Sequence, residues 1–389
     1  MKYVLFGAGL QGTAMAFDLL KHARGTTAVT AVDANPEALA ALSAKLDDPR
    51  LTTVAGDVRD PALAAPLLAG ADVALSAVNY WYNDDLAGLA IAAGAHFLDL
   101  GGNNDVVARE FARSDEARDR GVAVVPDCGL APGLAGILGY HLATGLERCR
   151  SLKLRVGGLP ARPLPPMNYK VVFSVQGLIN EYVEPALVIR DGRIRTIPSL
   201  TELETLRFPE PFGELEAFQT SGGISTLPQT LEGRVENLDY KTIRYKGHCA
   251  QFRLLNELGL CDAGPRDFAG GAVSPREMLA AVMQEKLDLP GPDVVLLLAE
   301  AEGWDQGGRA VRRSIRIIDH ADQENGISSM MRMTGYPAAI IARMLAAGEV
   351  TRRGTLNQEL VVPAGAMIAE LRRRLVDVQE FEGDPGEPA

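Results

Sequence analysis

The chain has 389 residues, of which 47% are hydrophobic and 23% charged, a composition that is ordinary for a globular protein and excludes a disordered or fibrous chain. The length suggests two domains. A formal net charge of −11 argues against binding to nucleic acid or to an anionic membrane surface, because both need basic side chains. We find no membrane-length apolar run and no export-signal pattern, so a cytoplasmic protein is expected. The four cysteines lack paired spacing, so no metal site is predicted.

Apolar strands alternate with helical segments from residue 1 to about residue 127. This alternation is typical of an α/β fold with a doubly wound parallel sheet, the Rossmann arrangement. The predicted strands are 3–6, 28–32, 51–54, 72–77, 96–100 and 122–126.

The first predicted strand runs into a glycine-rich turn, Gly7-Ala-Gly-Leu-Gln-Gly12. In a dinucleotide-binding turn the first glycine permits a tight bend, the second lets a pyrophosphate approach the backbone, and the third lets helix and strand pack closely. The predicted cofactor loop therefore consists of Gly7, Gly9, Leu10, Gln11 and Gly12.

Asp33 ends the second predicted strand, where a ribose-binding carboxylate belongs. Such a carboxylate repels a 2′-phosphate, and the neighbours Ala34-Asn35-Pro36 offer no arginine to pair with one. The expected cofactor is therefore NAD rather than NADP. The alternative role for Asp33 is that of a helix N-cap.

Other strand ends should line the same crevice, since ligands bind beyond the carboxyl ends of parallel strands. Asp57 follows the third strand, and it either lies near the adenine or caps a turn. The segment from Pro126 to Gly133 opens a helix whose free N–H groups could hold a carboxylate. The further cofactor-binding candidates at these strand ends are Val78, Asn79, Leu100, Gly101, Gly102 and Asn103.

The section after about residue 146 has a different sequence pattern, which predicts a mixed α+β structure. We predict a strand at 152–156, a proline-rich loop at 157–166, a hairpin of strands 186–190 and 193–197, and later strands at 294–299 and 311–318. Ser274-Pro-Arg-Glu277 is a capping box that opens a helix. The segment 328–348 is apolar on more than one face, so we predict a buried helix there. The acidic tail 380–389 is expected to fray.

Several motifs together resemble the saccharopine dehydrogenase-like family. They span nearly the whole chain: the Gly7–Gly12 turn, Asp99-Leu-Gly-Gly-Asn103, Pro126-Asp-Cys-Gly-Leu-Ala-Pro-Gly133, Val156-Gly-Gly-Leu-Pro160, Asn168-Tyr-Lys170, Phe173-Ser-Val-Gln-Gly-Leu-Ile-Asn-Glu-Tyr182, Thr220-Ser-Gly-Gly223, Asp239-Tyr-Lys-Thr-Ile-Arg-Tyr245 and Gly247-His248. The middle segments are most similar to those of the L-lysine 6-dehydrogenases.

The resemblance implies a discontinuous dinucleotide domain, residues 1–127 and 325–389, with an inserted substrate and dimerisation domain, residues 128–324. It also implies a homodimer that acts on a small amino-acid substrate, removing a hydride from the ε-carbon of L-lysine, with NAD as the acceptor. The resulting imine would be hydrolysed to 2-aminoadipate 6-semialdehyde, which cyclises to piperideine-6-carboxylate, with release of ammonia. The alternatives are a saccharopine dehydrogenase or a related carboxyalkyl-amine dehydrogenase, and a non-catalytic NAD-binding module.

Polar residues of the middle domain are the candidates for binding substrate or moving a proton. In a strand, Tyr240 and Arg244 share one face while Lys241 points to the other. Arginine binds a carboxylate through two parallel hydrogen bonds, and histidine titrates near neutrality. Solvated strand-edge charges, or a helix cap in the case of His248, are the alternatives. The candidates are Tyr169, Lys170, Tyr240 and Arg244 for substrate binding, and His248, Lys241 and Asp127 for catalysis.

Overall fold

The computed structural model describes residues 1–385 and divides into two compact units. The first comprises Met1–His141, Ile224–Thr226 and Met331–Asp377, and the second comprises Leu142–Gly223, Leu227–Met330 and the described residues from Val378 onward. The sequence placed the boundaries after residues 127 and 324, whereas the chain changes unit after residues 141 and 330. Residues 386–389 of the predicted last segment lie outside the described residues.

Six strands and seven helices alternate along the first part of the chain. They are β1 (Lys2–Phe6), α1 (Leu10–Lys21), β2 (Ala28–Asp33), α2 (Pro36–Leu46), β3 (Leu51–Ala55), α3 (Pro61–Leu68), β4 (Val73–Ser76), a 3₁₀ turn (Tyr80–Tyr82), α4 (Asn83–Ala93), β5 (His96–Leu98), α5 (Asn104–Ala112), α6 (Ser114–Asp119), β6 (Ala123–Val125) and α7 (Leu134–Thr144). Each predicted strand is present, with ends that differ by at most two residues.

The second part of the chain carries the mixed secondary structure that the sequence predicts. Its elements are β7 (Arg148–Pro160), α8 (Val175–Val183), β8 (Ala186–Arg190), β9 (Arg193–Ile197), β10 (Glu204–Phe208), β11 (Gly213–Gln219), α9 (Leu227–Leu231), β12 (Val235–Arg244), α10 (His248–Glu257), β13 (Arg266–Phe268), β14 (Gly271–Val273), α11 (Pro275–Leu287), β15 (Asp293–Trp304) and β16 (Ala310–His320). The remaining elements are α12 (Ser329–Ala346), β17 (Gly354–Thr355), α13 (Gln358–Val361), α14 (Ala364–Arg373) and β18 (Asp377–Gly383).

The sheet of the first unit is parallel throughout, in the order β17-β6-β5-β4-β1-β2-β3. The order 3-2-1-4-5-6 within it is the Rossmann order, which confirms the predicted fold class. The strand order reverses between β1 and β4, which are parallel neighbours, so the loops that follow these two strands border one crevice.

The C-terminal part of the chain completes the first unit. Strand β17 adds to the edge of the sheet beside β6. Tyr336 of α12 stacks on Phe17 of α1 at 6.4 Å between ring centroids. Arg374 forms a salt bridge with Asp18, and both side chains are fully buried. These contacts explain why residues distant in sequence fold as one unit.

The second unit is built on a nine-stranded mixed sheet. Its main path runs β10-β11-β12-β7-β15-β16-β18, with β8 and β9 as a hairpin beside β12. The hairpin turns at Asp191 and Gly192, both with positive φ, as the sequence predicts. Ser274 is the N-cap of α11, as predicted, because its hydroxyl accepts from the Glu277 N–H.

Two predictions for the second unit are wrong. The predicted loop 157–166 begins inside β7, because Gly157 packs against the β12 backbone, where a side chain would lie 2.4 Å from the Ile243 carbonyl oxygen. Pro160 is tolerated because it is the last residue of the strand. Residues 380–383 of the tail that was expected to fray belong to β18, which pairs with β16. Within residues 1–385 no helix is long and apolar enough to cross a membrane.

Candidate active site

The glycine turn between β1 and α1 has the geometry of a phosphate-binding loop. Gly7 has a φ of +104°, and a Cβ on Gly12 would lie 1.9 Å from the Gly7 carbonyl oxygen, so both positions require glycine. A Cβ on Gly9 would meet open space. No side chain caps α1 at Gly9, which leaves its first N–H groups free to bind an anion.

Asp33 is tied to this turn through both carboxylate oxygens. Its Oδ2 accepts from the Ala8 N–H at 2.7 Å, and its Oδ1 accepts from the Asn35 N–H at 2.8 Å. Asn35, not Asp33, caps α2, since its side chain accepts from Glu37 and Ala38. The N-cap alternative for Asp33 is therefore wrong, and its carboxylate borders the predicted ribose position.

Leu10 and Gln11 form the first turn of α1. The Leu10 side chain is 63% exposed, although it is large and apolar. The Gln11 Oε1 atom is buried and has no hydrogen-bond partner within residues 1–385. An orphaned amide oxygen beside free helix N–H groups fits a ligand that supplies a hydroxyl or amide donor, as a dinucleotide does.

Three other cofactor-binding candidates make local contacts. Asp57 accepts from the backbone N–H of Arg59 and forms a 2.5 Å salt bridge with its guanidinium, which lowers the pKa of Asp57 to about 2. Asn79 caps the 3₁₀ turn by accepting from Trp81, and Asn103 caps α5 by accepting from Asp105. The acceptor oxygens of these side chains therefore organise turns at the sheet edge.

Val78 and the Leu100-Gly101-Gly102 segment contribute backbone and apolar surface. Val78 packs beside the glycine turn, with its Cγ1 3.2 Å from where a Gly7 Cβ would lie. Gly101 and Gly102 have φ values of +72° and +120°. A side chain on Gly101 would collide with the carboxylate of Asp127, so the segment depends on glycine for space.

Asp127 belongs to a buried group of carboxyls that the sequence did not predict as a group. Asp99 Oδ1 accepts from the Gly101 N–H at 2.5 Å and from the Asp127 N–H at 3.3 Å. Glu110 is buried, and neither of its carboxyl oxygens has a hydrogen-bond partner within residues 1–385. Burial together with the nearby Asp99 charge raises the pKa of Glu110. The Ser225 hydroxyl donates to Asp127.

The environment of Asp127 brings its titration close to neutrality. Burial and then the charge of Asp99 raise the pKa of Asp127 to about 7. A carboxyl in that range can both lose and accept a proton under ordinary conditions, which is the requirement for a general base. Asp127 thus has the protonation behaviour of a catalytic group.

Arg244, at the end of β12, is the main charged feature of the second unit. Its side chain is buried and lies over the ring of Tyr169 at 5.0 Å. Its Nε donates to the Tyr182 hydroxyl at 2.9 Å, and its Nη1 donates to the carbonyls of Ile243 and Gly158. Within residues 1–385 no carboxylate forms a salt bridge with it. A buried guanidinium without a carboxylate partner is costly, so this site is suited to an anionic ligand.

His248 supports Arg244 through Tyr182. The imidazole Nδ1 must carry the proton, because its partner is the Met167 carbonyl oxygen at 3.1 Å. The unprotonated Nε2 then accepts from the Tyr182 hydroxyl at 3.1 Å. Burial, and then the nearby Arg244 charge, lowers the pKa of His248 to about 3. This neutral, fully bonded imidazole favours a structural role over the proton relay that the sequence suggested.

The predicted faces of β12 are present, and they separate Lys241 from Arg244. The Lys241 ammonium donates to the Glu202 carbonyl and to the Glu204 carboxylate at 2.8 Å. Its neighbour in this ion cluster is Arg155, which binds Glu204 and Asp239. Lys241 is therefore committed to carboxylates on the face opposite Arg244, which argues against its predicted catalytic role.

Of the other three substrate-binding candidates, two lie beside Arg244 and one lies in an exposed position. Tyr169 and Tyr240 are buried beside Arg244, and burial raises the pKa of Tyr169 to about 12, which keeps its phenol neutral. A side chain on Gly223 would overlap the Tyr240 ring. Lys170 instead donates to the Gly291 carbonyl at 2.7 Å in an exposed position.

No group of three or more His, Cys, Asp or Glu side chains in the described part of the chain could hold a metal ion.

Comparison with protein families gives matches over both units. Residues 3–125 match the saccharopine dehydrogenase NADP binding domain, and residues 129–377 match the saccharopine dehydrogenase C-terminal domain. A saccharopine dehydrogenase (NADP⁺, L-glutamate-forming) from Pyricularia oryzae is 20% identical over 378 residues, covering 78% of this chain and 83% of the relative. The mitochondrial alpha-aminoadipic semialdehyde synthase of Bos taurus is 21% identical, covering 75% of this chain and 38% of the relative.

Solved structures show the same fold. The apo saccharopine dehydrogenase (L-Glu forming) from Saccharomyces cerevisiae superposes with a TM-score of 0.80 at 19% identity, covering 98% of this chain and 99% of that one. The homospermidine synthase of Legionella pneumophila, solved with NAD, gives a TM-score of 0.71 at 11% identity and covers 100% and 93% of the two chains. The chain therefore belongs to the saccharopine dehydrogenase family, and it is an oxidoreductase with a pyridine-nucleotide-binding domain.

Proposed function

We propose that the protein oxidises the ε-amine of L-lysine with NAD to an imine, which water hydrolyses to 2-aminoadipate 6-semialdehyde and ammonia, with NADH as the other product. The observation that carries this proposal is the buried Arg244, which lacks a carboxylate partner among residues 1–385. It can hold the single carboxylate of lysine through a two-point contact. The specific amine is suggested by the middle-domain motifs from Asn168 to His248, which are most similar to those of L-lysine 6-dehydrogenases.

Asp127 is proposed as the base. Hydride leaves the ε-carbon only when the amine is neutral, because an ammonium has no lone pair to stabilise the developing iminium. When bound, NAD supplies the hydride acceptor. A carboxyl with a pKa of about 7 can take the proton from the amine. The other two catalytic candidates are less suited, since Lys241 binds Glu204 and His248 uses both ring nitrogens.

NAD is proposed over NADP because of Asp33. Its two oxygens are fixed by backbone N–H groups, so its charge stays at the ribose position. A 2′-phosphate there would meet this carboxylate without a compensating arginine nearby in sequence. The family model is that of an NADP binding domain, so the preference rests on this chain's own residue.

Saccharopine is the alternative substrate, and the named relatives favour it. It carries more than one carboxylate arm, so it needs further cations. The two lysines that could have served, Lys170 and Lys241, bind the Gly291 carbonyl and Glu204. This use of the lysines supports a substrate with one carboxylate.

Product analysis tests the reaction class. Purified protein with L-lysine and NAD should produce NADH and ammonia in equal amounts, with a cyclic imine as the carbon product. NADH formation without ammonia would contradict a deamination.

We also propose a homodimer and a small amino-acid substrate as the protein's partners.

A further inference from the structure

Helix α8 places two adjacent side chains beside Arg244. Tyr182 bonds the guanidinium directly. Its neighbour Glu181 is half-buried, and its carboxyl makes no hydrogen bond or salt bridge within residues 1–385. The Glu181 backbone carbonyl accepts from the Ser221 N–H at 2.9 Å, which fixes this end of α8 against the Ser221–Gly223 segment.

The charge of Glu181 acts on the same groups that surround Arg244. It interacts electrostatically with Arg244, Tyr169 and Tyr240. Burial raises the pKa of Glu181 to about 7, against the opposing effect of the Arg244 charge. Yet no oxygen of Glu181 forms a salt bridge with the guanidinium. Two opposite charges are thus close enough to interact, and neither is neutralised by direct contact.

Two glycines lie beside the Glu181 side chain. A Cβ at Gly222 would lie 4.0 Å from Cγ of Glu181, and Gly222 itself presents no side chain toward it. The next residue, Gly223, leaves its space to the Tyr240 ring. The Glu181 side chain and the Tyr240 ring therefore both lie against the Gly222–Gly223 backbone.

We propose that Arg244 and Glu181 together bind the head group of an α-amino acid. The guanidinium takes the α-carboxylate, and Glu181 takes the α-ammonium. These two ligand charges belong to groups on the same carbon, so a cation and an anion placed near each other match them. The reacting ε-amine lies at the far end of the side chain, away from this head group. The inference deepens the proposed function and rests on it for the identity of lysine.

A comparison of substrates with and without the α-amine tests this role. The variants are Glu181→Gln, which keeps the shape without the charge, and Glu285→Gln, which removes an exposed charge from α11 in the same unit. The substrates are L-lysine and 6-aminohexanoate, which is lysine without its α-amine. Glu181→Gln should lower kcat/KM for lysine about 10- to 100-fold, as expected for the loss of a charged hydrogen bond. It should change kcat/KM for 6-aminohexanoate less than about twofold, and Glu285→Gln should change kcat/KM for neither substrate.

A binding measurement separates the head-group site from the reaction. Isothermal titration of the NAD-loaded protein with L-norleucine, which has the head group but no ε-amine, needs no turnover. Norleucine should bind the wild type about 10- to 100-fold more tightly than Glu181→Gln. If lysine is not oxidised but norleucine binding shows this dependence, the proposed function fails and the head-group site stands. Equal losses for lysine and 6-aminohexanoate, or no Glu181-dependent binding of norleucine, would overturn the inference.

Discussion

Arg155 and Arg244 form a matched pair for separating recognition from stability. Both guanidinium groups are buried in the second unit. Arg155 binds the carboxylates of Glu204 and Asp239, the latter at 2.7 Å, whereas Arg244 binds a phenol and two carbonyls. Methionine approximates the length of arginine without its charge, so Arg155→Met and Arg244→Met are the informative changes.

The expected changes in stability differ in size. Breaking a buried ion pair costs about 3–5 kcal/mol, because the remaining charges are left uncompensated. Arg155→Met should lower the free energy of unfolding by about that amount. Arg244→Met loses three hydrogen bonds worth about 1 kcal/mol each, but it also removes an unpaired charge whose burial costs several kcal/mol. Its net effect should stay below about 2 kcal/mol.

Activity should show the opposite order. Losing the contact to a substrate carboxylate costs about 2–5 kcal/mol, or about 30- to 5,000-fold in kcat/KM for lysine. Urea unfolding without substrate, steady-state kinetics and NAD titration measure the three quantities for Arg244→Met, and its NAD affinity should be nearly unchanged. A stability loss equal to that of Arg155→Met would make Arg244 structural. Near-normal kcat/KM would place the carboxylate elsewhere.

Three further outcomes are expected. Wild type should bind NAD more tightly than NADP, and Asp33→Ala should weaken NAD binding about 10- to 100-fold; tighter binding of NADP by the wild type would refute the ribose assignment. The folded protein holds a proton on Asp127 that the unfolded chain releases above its ordinary pKa of 3.8, so stability should fall as pH rises toward 7, by up to about 4 kcal/mol. The free energy of unfolding, measured with urea between pH 4 and 8, should lose this pH dependence in Asp127→Asn. Parallel pH profiles of wild type and variant would contradict the raised pKa of Asp127. Leu254 and Leu258 are exposed and lie four residues apart, so they should share one face at the end of α10. If this face is the dimer contact, the double variant Leu254→Glu, Leu258→Glu should be monomeric in light scattering. An unchanged dimer would place the contact elsewhere.

Local patterns were sufficient to predict the first unit. The glycine turn, the strand alternation and the position of Asp33 depend on short-range chemistry that periodicity and turn residues report. The return of α12 and β17 to the same unit does not follow from such patterns. It depends on long-range contacts such as the buried pair of Asp18 and Arg374, and it was implied only by the family resemblance.

The second unit shows why residue type alone does not assign a role. Strand periodicity correctly separated Lys241 from Arg244. It could not reveal that Glu204, on another strand, neutralises Lys241 while Arg244 stays unpaired. Glu181 was overlooked because a glutamate in an amphipathic helix normally faces solvent. Asp99 and Glu110 were overlooked because the buried group that they form with Asp127 brings together residues that are distant in the sequence.

The most direct test of the proposed function compares two substrates under one assay. Wild-type protein with saturating NAD is given L-lysine or L-saccharopine, and NADH formation is followed by absorbance. We expect kcat/KM for lysine to exceed that for saccharopine by at least about 100-fold, which corresponds to about 2.7 kcal/mol. A higher kcat/KM for saccharopine, without release of ammonia, would show that the site takes the larger substrate and would contradict the assignment to lysine.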